Sequence, residues 1–270
     1  MHVLALVEAP RDPNEAAQAF AKMTGQTLAE ARMRLAPEPP MWLGRFAPEV
    51  AVVHLQALRA QRLKVVSVDE EETSFAAWFV PRKFTLDGPV ATFTSGGGET
   101  RMIPWDSLTV VLRAASRMRS ELQTPQTVRT FSLGKSLATG GLSNTKKVTS
   151  TVRTTELELE SSLYLFDADG QGVVLKERSL DFTSLGKHLG PARTQNMTTL
   201  ARLVKERATR AFYDERLVRL GTRTLPAVGG GEFRYTSKDV NVSRTSTAGS
   251  VDLLAEFLRL GVAEGLIGVR

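Results

Sequence analysis

The chain has 270 residues, of which 42% are hydrophobic and 24% charged, a net charge of +6 and no cysteine. That is enough for one large or two ordinary domains. It excludes disulfides, thiolate catalysis and cysteine-based metal sites, and no apolar run approaches the roughly 18 residues of a membrane span.

The opening stretch MHVLALVEAPRDPNE is a short apolar strand followed by acids. It has no basic n-region, no long apolar h-region and no small-residue cleavage site, so a cytoplasmic protein is expected. Residues 1–70 read as one small unit: a strand at His2–Val7, helices at Pro13–Thr24 and Leu28–Leu35, an extended piece at Met41–Phe46, a helix at Pro48–Arg62 and a strand at Leu63–Val68. Pro13 and Pro48 suit first helical positions after Asp12 and Ala47. Gly25 suits the residue just past a helix, and Pro37-Glu38-Pro39-Pro40 must break the second helix. On the third helix Val52, Val53, Leu55 and Leu58 form a broad apolar face. The unit ends in the acidic run Asp69-Glu70-Glu71-Glu72.

Three stretches of this unit carry a resemblance. They are Thr24-Gly25-Gln26-Thr27-Leu28-Ala29-Glu30-Ala31, the Pro37-Glu38-Pro39 break, and Ala57-Leu58-Arg59-Ala60-Gln61-Arg62 running into Leu63-Lys64-Val65-Val66-Ser67-Val68. Together they resemble the C-terminal domain of the bacterial ribosomal stalk protein, whose fold also serves the Clp protease adaptor family. The resemblance implies a small docking module without catalysis. It does not carry over factor recruitment, because Lys22 is the only base on the first helix. Nor does it carry over degron capture, because the corresponding loop is Glu8-Ala9-Pro10-Arg11-Asp12 and the nearby histidine is His54.

Residues 73–182 read as β-rich. Strand-like segments are Thr73–Val80, Arg82–Leu86, Pro89–Thr94, Glu99–Trp105 and Leu108–Ala114, with Asp87-Gly88 and Ser95-Gly96-Gly97-Gly98 as turns. Arg101-Met102-Ile103-Pro104-Trp105-Asp106-Ser107-Leu108 is similar to the strand–turn signature of bacterial pleckstrin-homology-like domains. The fold class expected is therefore α+β: a small βααβαβ domain over 1–70, then an antiparallel β-rich, pleckstrin-homology-like domain over 73–220, then a flexible segment and short terminal helix over 221–270.

Between Arg113 and Arg153 the charge is one-sided. Arg113, Arg117, Arg119, Arg129, Lys135, Lys146, Lys147 and Arg153 are opposed only by Glu121. Such a stretch invites an anionic partner, whether nucleic acid, acidic protein or anionic lipid. Residues 120–155 read equally as a flexible basic loop or as a long hairpin. Glu156–Phe166 and Gly172–Phe182 then form a strand pair around Asp167-Ala168-Asp169-Gly170, with Leu157, Leu159, Leu163 and Leu165 alternating. Glu156, Glu158 and Glu160 read as a solvated face answering the nearby bases.

The third region reads as a helix over Asn196–Leu217, a loop or weak strand over Thr222–Ser246, and a helix over Ser250–Leu260 stopped by Gly261. Just before the first of these, Lys187, His188 and Arg193 lie among glycines and a proline and form a candidate anion site. Catalytic motifs are missing. Gly134-Lys135-Ser136 lacks a P-loop's first glycine, since Arg129 stands there. The Asp167 turn has Arg178 where a calcium loop needs Glu, and His2, His54 and His188 have no metal spacing. No cofactor is expected. The reading favoured is a non-enzymatic interaction or adaptor protein with an unknown protein partner. The alternatives are a nucleic-acid- or ribosome-associated protein, an enzyme using the anion site near 187–193, and a protein docking on a membrane surface.

Overall fold

The computed structural model describes residues 1–70, 78–131, 145–220, 231–237 and 240–268. Its elements run β1 (His2–Leu6), α1 (Pro13–Thr24), α2 (Leu28–Leu35), β2 (Met41–Phe46), α3 (Pro48–Ala60) and β3 (Val65–Asp69). Then come β4 (Pro81–Thr85), β5 (Val90–Ser95), β6 (Thr100–Pro104), β7 (Leu108–Phe131), β8 (Thr145–Asp167) and β9 (Gly172–Lys176). The chain continues with α4 (Arg193–Arg207), β10 (Phe212–Asp214), α5 (Arg216–Leu220), β11 (Gly231–Ser237), β12 (Val240–Ser246) and α6 (Ala248–Ala263). The protein is mixed α and β, with antiparallel sheets, one of them curled into a half-barrel. No described helix is long and apolar enough to cross a membrane.

Local chemistry sets the first unit. Asp12 accepts from the amides of Asn14 (2.8 Å) and Glu15 (3.1 Å) at the start of α1, and Pro13 follows it as the first helical residue. Gly25 takes φ +69° just past the end of α1, a conformation that costs glycine little. Thr27 and Glu30 form a reciprocal capping box on α2. The three strands pair antiparallel in the order β2-β1-β3. One face of this sheet, with Leu4, Leu6 and Val65, packs on Phe20, Ala31, Ala51 and Leu58 from the helices.

The other face is also buried. Val3, Ala5, Val7, Val66 and Val68 share a core with Val251, Leu254, Ala255, Phe257 and Leu258 of α6, and with Val110, Leu112, Tyr164 and Phe166 of β7 and β8. Helix α6 is thus a filling between the first sheet and the central sheet. This accounts for the unbroken apolar run at Val3–Val7, every residue of which is fully buried: a strand covered on both faces need not alternate. The central sheet has the order β11-β12-β7-β8-β9. Its opposite face, with Val111, Leu163, Leu165, Val173 and Leu175, packs on the β4-β5-β6 meander through Phe84, Phe93 and Ile103, and on α4 through Met197, Leu200 and Val204.

Several expectations are settled or corrected by this packing. Of the two readings open for residues 120–155, a loop or a long hairpin, the described parts take the second: 120–131 and 145–156 form an antiparallel ladder from Ser120↔Glu156 to Phe131↔Thr145. The helix expected over Asn196–Leu217 is interrupted after Arg207. Phe212, Tyr213 and Asp214 instead pair in parallel with Val110, Val111 and Leu112, using the edge of β7 that β8 leaves open. Within Thr222–Ser246, expected as loop or weak strand, the described residues form two strands: β12 pairs with the distal part of the same edge, Met118 to Gln123, and β11 pairs with β12. Gly261 does not stop the last helix but lies within it. A Cβ there would come within 3.2 Å of Val7, so glycine permits the close approach of α6 to the first sheet. The strand expected at Thr73–Val80 lies mostly outside the described residues.

Candidate partner interface on the long hairpin

The hairpin is longer than the core it covers. On β7 burial is complete at Leu112 and Ala114 and has become partial by Arg117, and on β8 it ends between Leu163 and Glu160. Side chains of successive strand residues point to opposite faces, so Arg113, Arg117 and Arg119 share one face of β7. Their partners across the ladder are Leu163, Leu159 and Leu157.

These arginines are not equivalent. Arg113 sits at the core's margin, where its Nη2 donates to Thr198 Oγ1 (2.9 Å) and its Nη1 lies 3.7 Å from Glu215. It ties the hairpin base to α4 and the segment after β10, and is a structural residue. Arg119 forms a 2.5 Å ion pair with Glu121 on its own strand. Arg117 makes no side-chain ion pair among the described residues, while its backbone holds Thr247 at the start of α6 (Arg117 N to Thr247 Oγ1, 2.8 Å). Beside them Leu157 and Leu159 are 63% and 57% exposed. The alternation that buries Leu163 and Leu165 continues past the end of the core, so the same face turns from packed to open within four residues.

The acids occupy the opposite face. Glu156, Glu158 and Glu160 pair across the ladder with Ser120, Met118 and Ser116. They do not answer the bases of β7. Glu158 instead holds Arg178, just beyond β9, at 2.7 Å, and Glu160 accepts from the Arg178 amide at 3.3 Å. The hairpin is therefore polarised across its thickness, with the arginines, the leucines and the single acid Glu121 on one side and Glu156, Glu158 and Glu160 on the other. Further out, the backbone ladder places Arg129 opposite Lys147, Thr130 opposite Lys146 and Gln123 opposite Arg153. Lys135 lies outside the described residues.

The candidate anion site before α4 is not assembled. Arg193 points its guanidinium at main-chain carbonyls, donating to Glu177 O (3.1 and 2.5 Å) and Leu180 O (2.7 Å), and stacks over Phe182 at 5.2 Å. Asn196 clamps Gly190 through both its amide hydrogen bonds (2.6 and 3.1 Å). These contacts fasten the loop to the sheet and leave Lys187 and His188 exposed on a separate 3-10 turn, Thr183–His188.

Among the described residues no group of three or more His, Asp or Glu could hold a metal ion. His2 is within 3.2 Å of Ser67 Oγ and 3.5 Å of Asp69, and His54 stands edge-on to Phe46, its pKa lowered by burial. The Asp167 segment is a hairpin turn closed by Gly170 N to Asp167 O at 3.1 Å. The exposure of Leu157 and Leu159 escaped sequence reasoning. Their spacing gave the face correctly, but only the end of the packing partner says where that face becomes surface. Compared with protein-family models, with curated proteins and with solved structures, the chain matches nothing.

Proposed function

We propose that this is a non-enzymatic interaction or adaptor protein whose long hairpin docks an anionic partner carrying apolar side chains. The observation that carries the reading is the ladder of Arg117 opposite Leu159 and Arg119 opposite Leu157, with both leucines more than half exposed. Exposed leucines flanked by arginines suit a partner that buries apolar area while matching charge: the apolar contact supplies affinity and the charges supply register and on-rate. The order β1-α1-α2-β2-α3-β3 supports reading residues 1–70 as a stalk-like docking module. The β4–β9 strands followed by α4 around one core support a pleckstrin-homology-like reading of the middle. A cysteine-free chain fits a cytoplasmic setting.

The test is a tagged pull-down at two salt concentrations, comparing wild type with Arg117→Glu/Arg119→Glu and with Leu157→Ser/Leu159→Ser. A docking interface loses the same partner in both variants. Loss only in the arginine variant, together with steep salt dependence and retention on RNA or DNA, favours the nucleic-acid reading instead, for which the Arg129–Lys147 register pair is the supporting observation.

A further inference from the structure

A second basic surface lies where strand β4 begins with the sequence Pro81-Arg82-Lys83-Phe84. Strict alternation would bury one of the two cations or expose Phe84. The strand avoids both with a bulge: Pro81 pairs with Ser95 and Lys83 with Thr94, leaving Arg82 as the extra residue. Pro81 and Phe84 are therefore both buried while Arg82 and Lys83 are both exposed. Bulges re-aim side chains in this way next to functional sites. Among the described residues, neither Arg82 nor Lys83 makes an ion pair or donates a side-chain hydrogen bond.

Both cations line a surface hollow of about 760 Å³. Its far wall is the turn between β5 and β6. That turn is closed by Gly98 N to Ser95 O (3.1 Å), Ser95 N to Glu99 O (2.8 Å) and Glu99 N to Ser95 Oγ (3.1 Å), bonds that use the amides of Ser95, Gly98 and Glu99 and leave those of Gly96 and Gly97 unused by the turn. A Cβ at Gly96 would meet open space, so a ligand can approach this backbone closely. The floor includes Arg178 and Arg193, already oriented by Glu158 and by the carbonyls of Glu177 and Leu180. Asp181 is the one acid in the lining, and its carboxylate is held by the Thr183 amide at 3.0 Å.

We propose that this hollow binds a soluble phosphate ester, with Arg82 and Lys83 as its mobile cationic contacts and the Ser95–Gly98 turn as its backbone wall. Four cations and one carboxylate line the hollow; Arg178 is ion-paired with Glu158, while Arg82, Lys83 and Arg193 make no ion pair among the described residues, a positive excess that favours a ligand with more than one negative charge. Fixed arginines fix the geometry, and the two unpaired cations supply charge without first breaking a protein contact.

The experiment is calorimetric titration of the full chain with inorganic pyrophosphate at low salt, with thermal melting as the folding control. Wild type should bind saturably. Arg82→Ala/Lys83→Ala and Gly96→Asp should each weaken binding at least tenfold, and Arg117→Glu/Arg119→Glu should leave it unchanged. Gly96→Asp keeps the test valid if the double variant melts early, since that position has room for a side chain and no positive φ. Sedimentation with vesicles containing phosphatidic acid separates the sources: vesicle binding lost in both hollow variants, without pyrophosphate binding, assigns the phosphate to a lipid headgroup and overturns the soluble ligand. Absence of both saturable pyrophosphate binding and vesicle binding, or an equal loss in the hairpin variant, overturns the site.

Discussion

The Tyr164 hydroxyl of β8 donates a 2.6 Å hydrogen bond to Oδ1 of Asp252 on α6, across the core that joins the central sheet to the last helix. Trp78 stands edge-on to the Tyr164 ring at 5.6 Å. Burial pushes the Asp252 carboxyl up from its ordinary value of 3.8, while the Tyr164 hydrogen bond and the Lys176 charge pull it back. Burial and the Asp252 carboxylate push Tyr164 well above its usual value, so it remains a donor throughout the working range.

A carboxyl raised in the fold holds its proton more tightly folded than unfolded. Its contribution to stability is present below 3.8 and is lost as pH rises through the raised value. Asp252→Asn should therefore remove a declining limb from the stability–pH curve while keeping an acceptor for Tyr164. Tyr164→Phe should steepen that limb, because the bond that lowers Asp252 is gone, and should cost about 1–3 kcal/mol at neutral pH. Urea unfolding of the three proteins between pH 4 and 8 checks both signs; parallel curves would contradict them.

Phe257 is fully buried on α6, in the core shared by the first sheet and the central sheet. Phe257→Ala should cost about 3–5 kcal/mol. Because that core crosses from one sheet to the other, the first unit and the body should melt together in wild type, and this variant should lower or split that single transition. Calorimetry reads both.

Arg216 fastens the same boundary. It donates to the carbonyl of Val7 at 3.2 Å and pairs with Asp214 at 2.7 Å, while Arg219 pairs with Glu38 and Arg59 with Glu264. Arg216→Met should weaken the seating of the first unit by about 1–3 kcal/mol, since it removes the guanidinium from Asp214 Oδ2 and from the Val7 carbonyl and leaves Asp214 only the Arg216 amide as donor. Hydrogen exchange should rise first in β1 and α5. Arg219→Ala, at an exposed pair, should change stability by less than about 1 kcal/mol.

Arg193→Ala should cost about 1–3 kcal/mol through the loss of three carbonyl bonds and the stacking on Phe182. Arg193→Lys should rescue little, because one ammonium cannot reproduce a planar fork serving two carbonyls. Leu157→Ser/Leu159→Ser, by contrast, removes exposed side chains and should leave the melting temperature nearly unchanged. Thermal melts of the three proteins side by side separate a fastening residue from a docking one.

The order and type of elements in the first unit were legible because the signals there are local. Asp12-Pro13, Gly25 and Ala47-Pro48 mark helix ends within a few residues of themselves. The two-residue period of Leu157–Leu165 likewise gave the correct face of β8. The charge on β7 could be counted, but not sorted into the anchored Arg113 and the open Arg117. That sorting depends on where α4 and the segment after β10 end in space. Three further features needed tertiary structure. The edge of β7 captured Phe212–Asp214 from an otherwise helical pattern, because an open strand edge offers backbone bonds that an isolated helix turn cannot outbid. The same edge recruited β12. The bulge at Arg82 was written in Pro-Arg-Lys-Phe as a break in alternation, but its meaning depended on the glycine turn and Arg178 arriving opposite. By itself, then, the sequence determined the period, the caps, the first unit and the basic excess. Tertiary structure decided which faces the core covers, because burial is a property of pairs of surfaces and a sequence states only one of them.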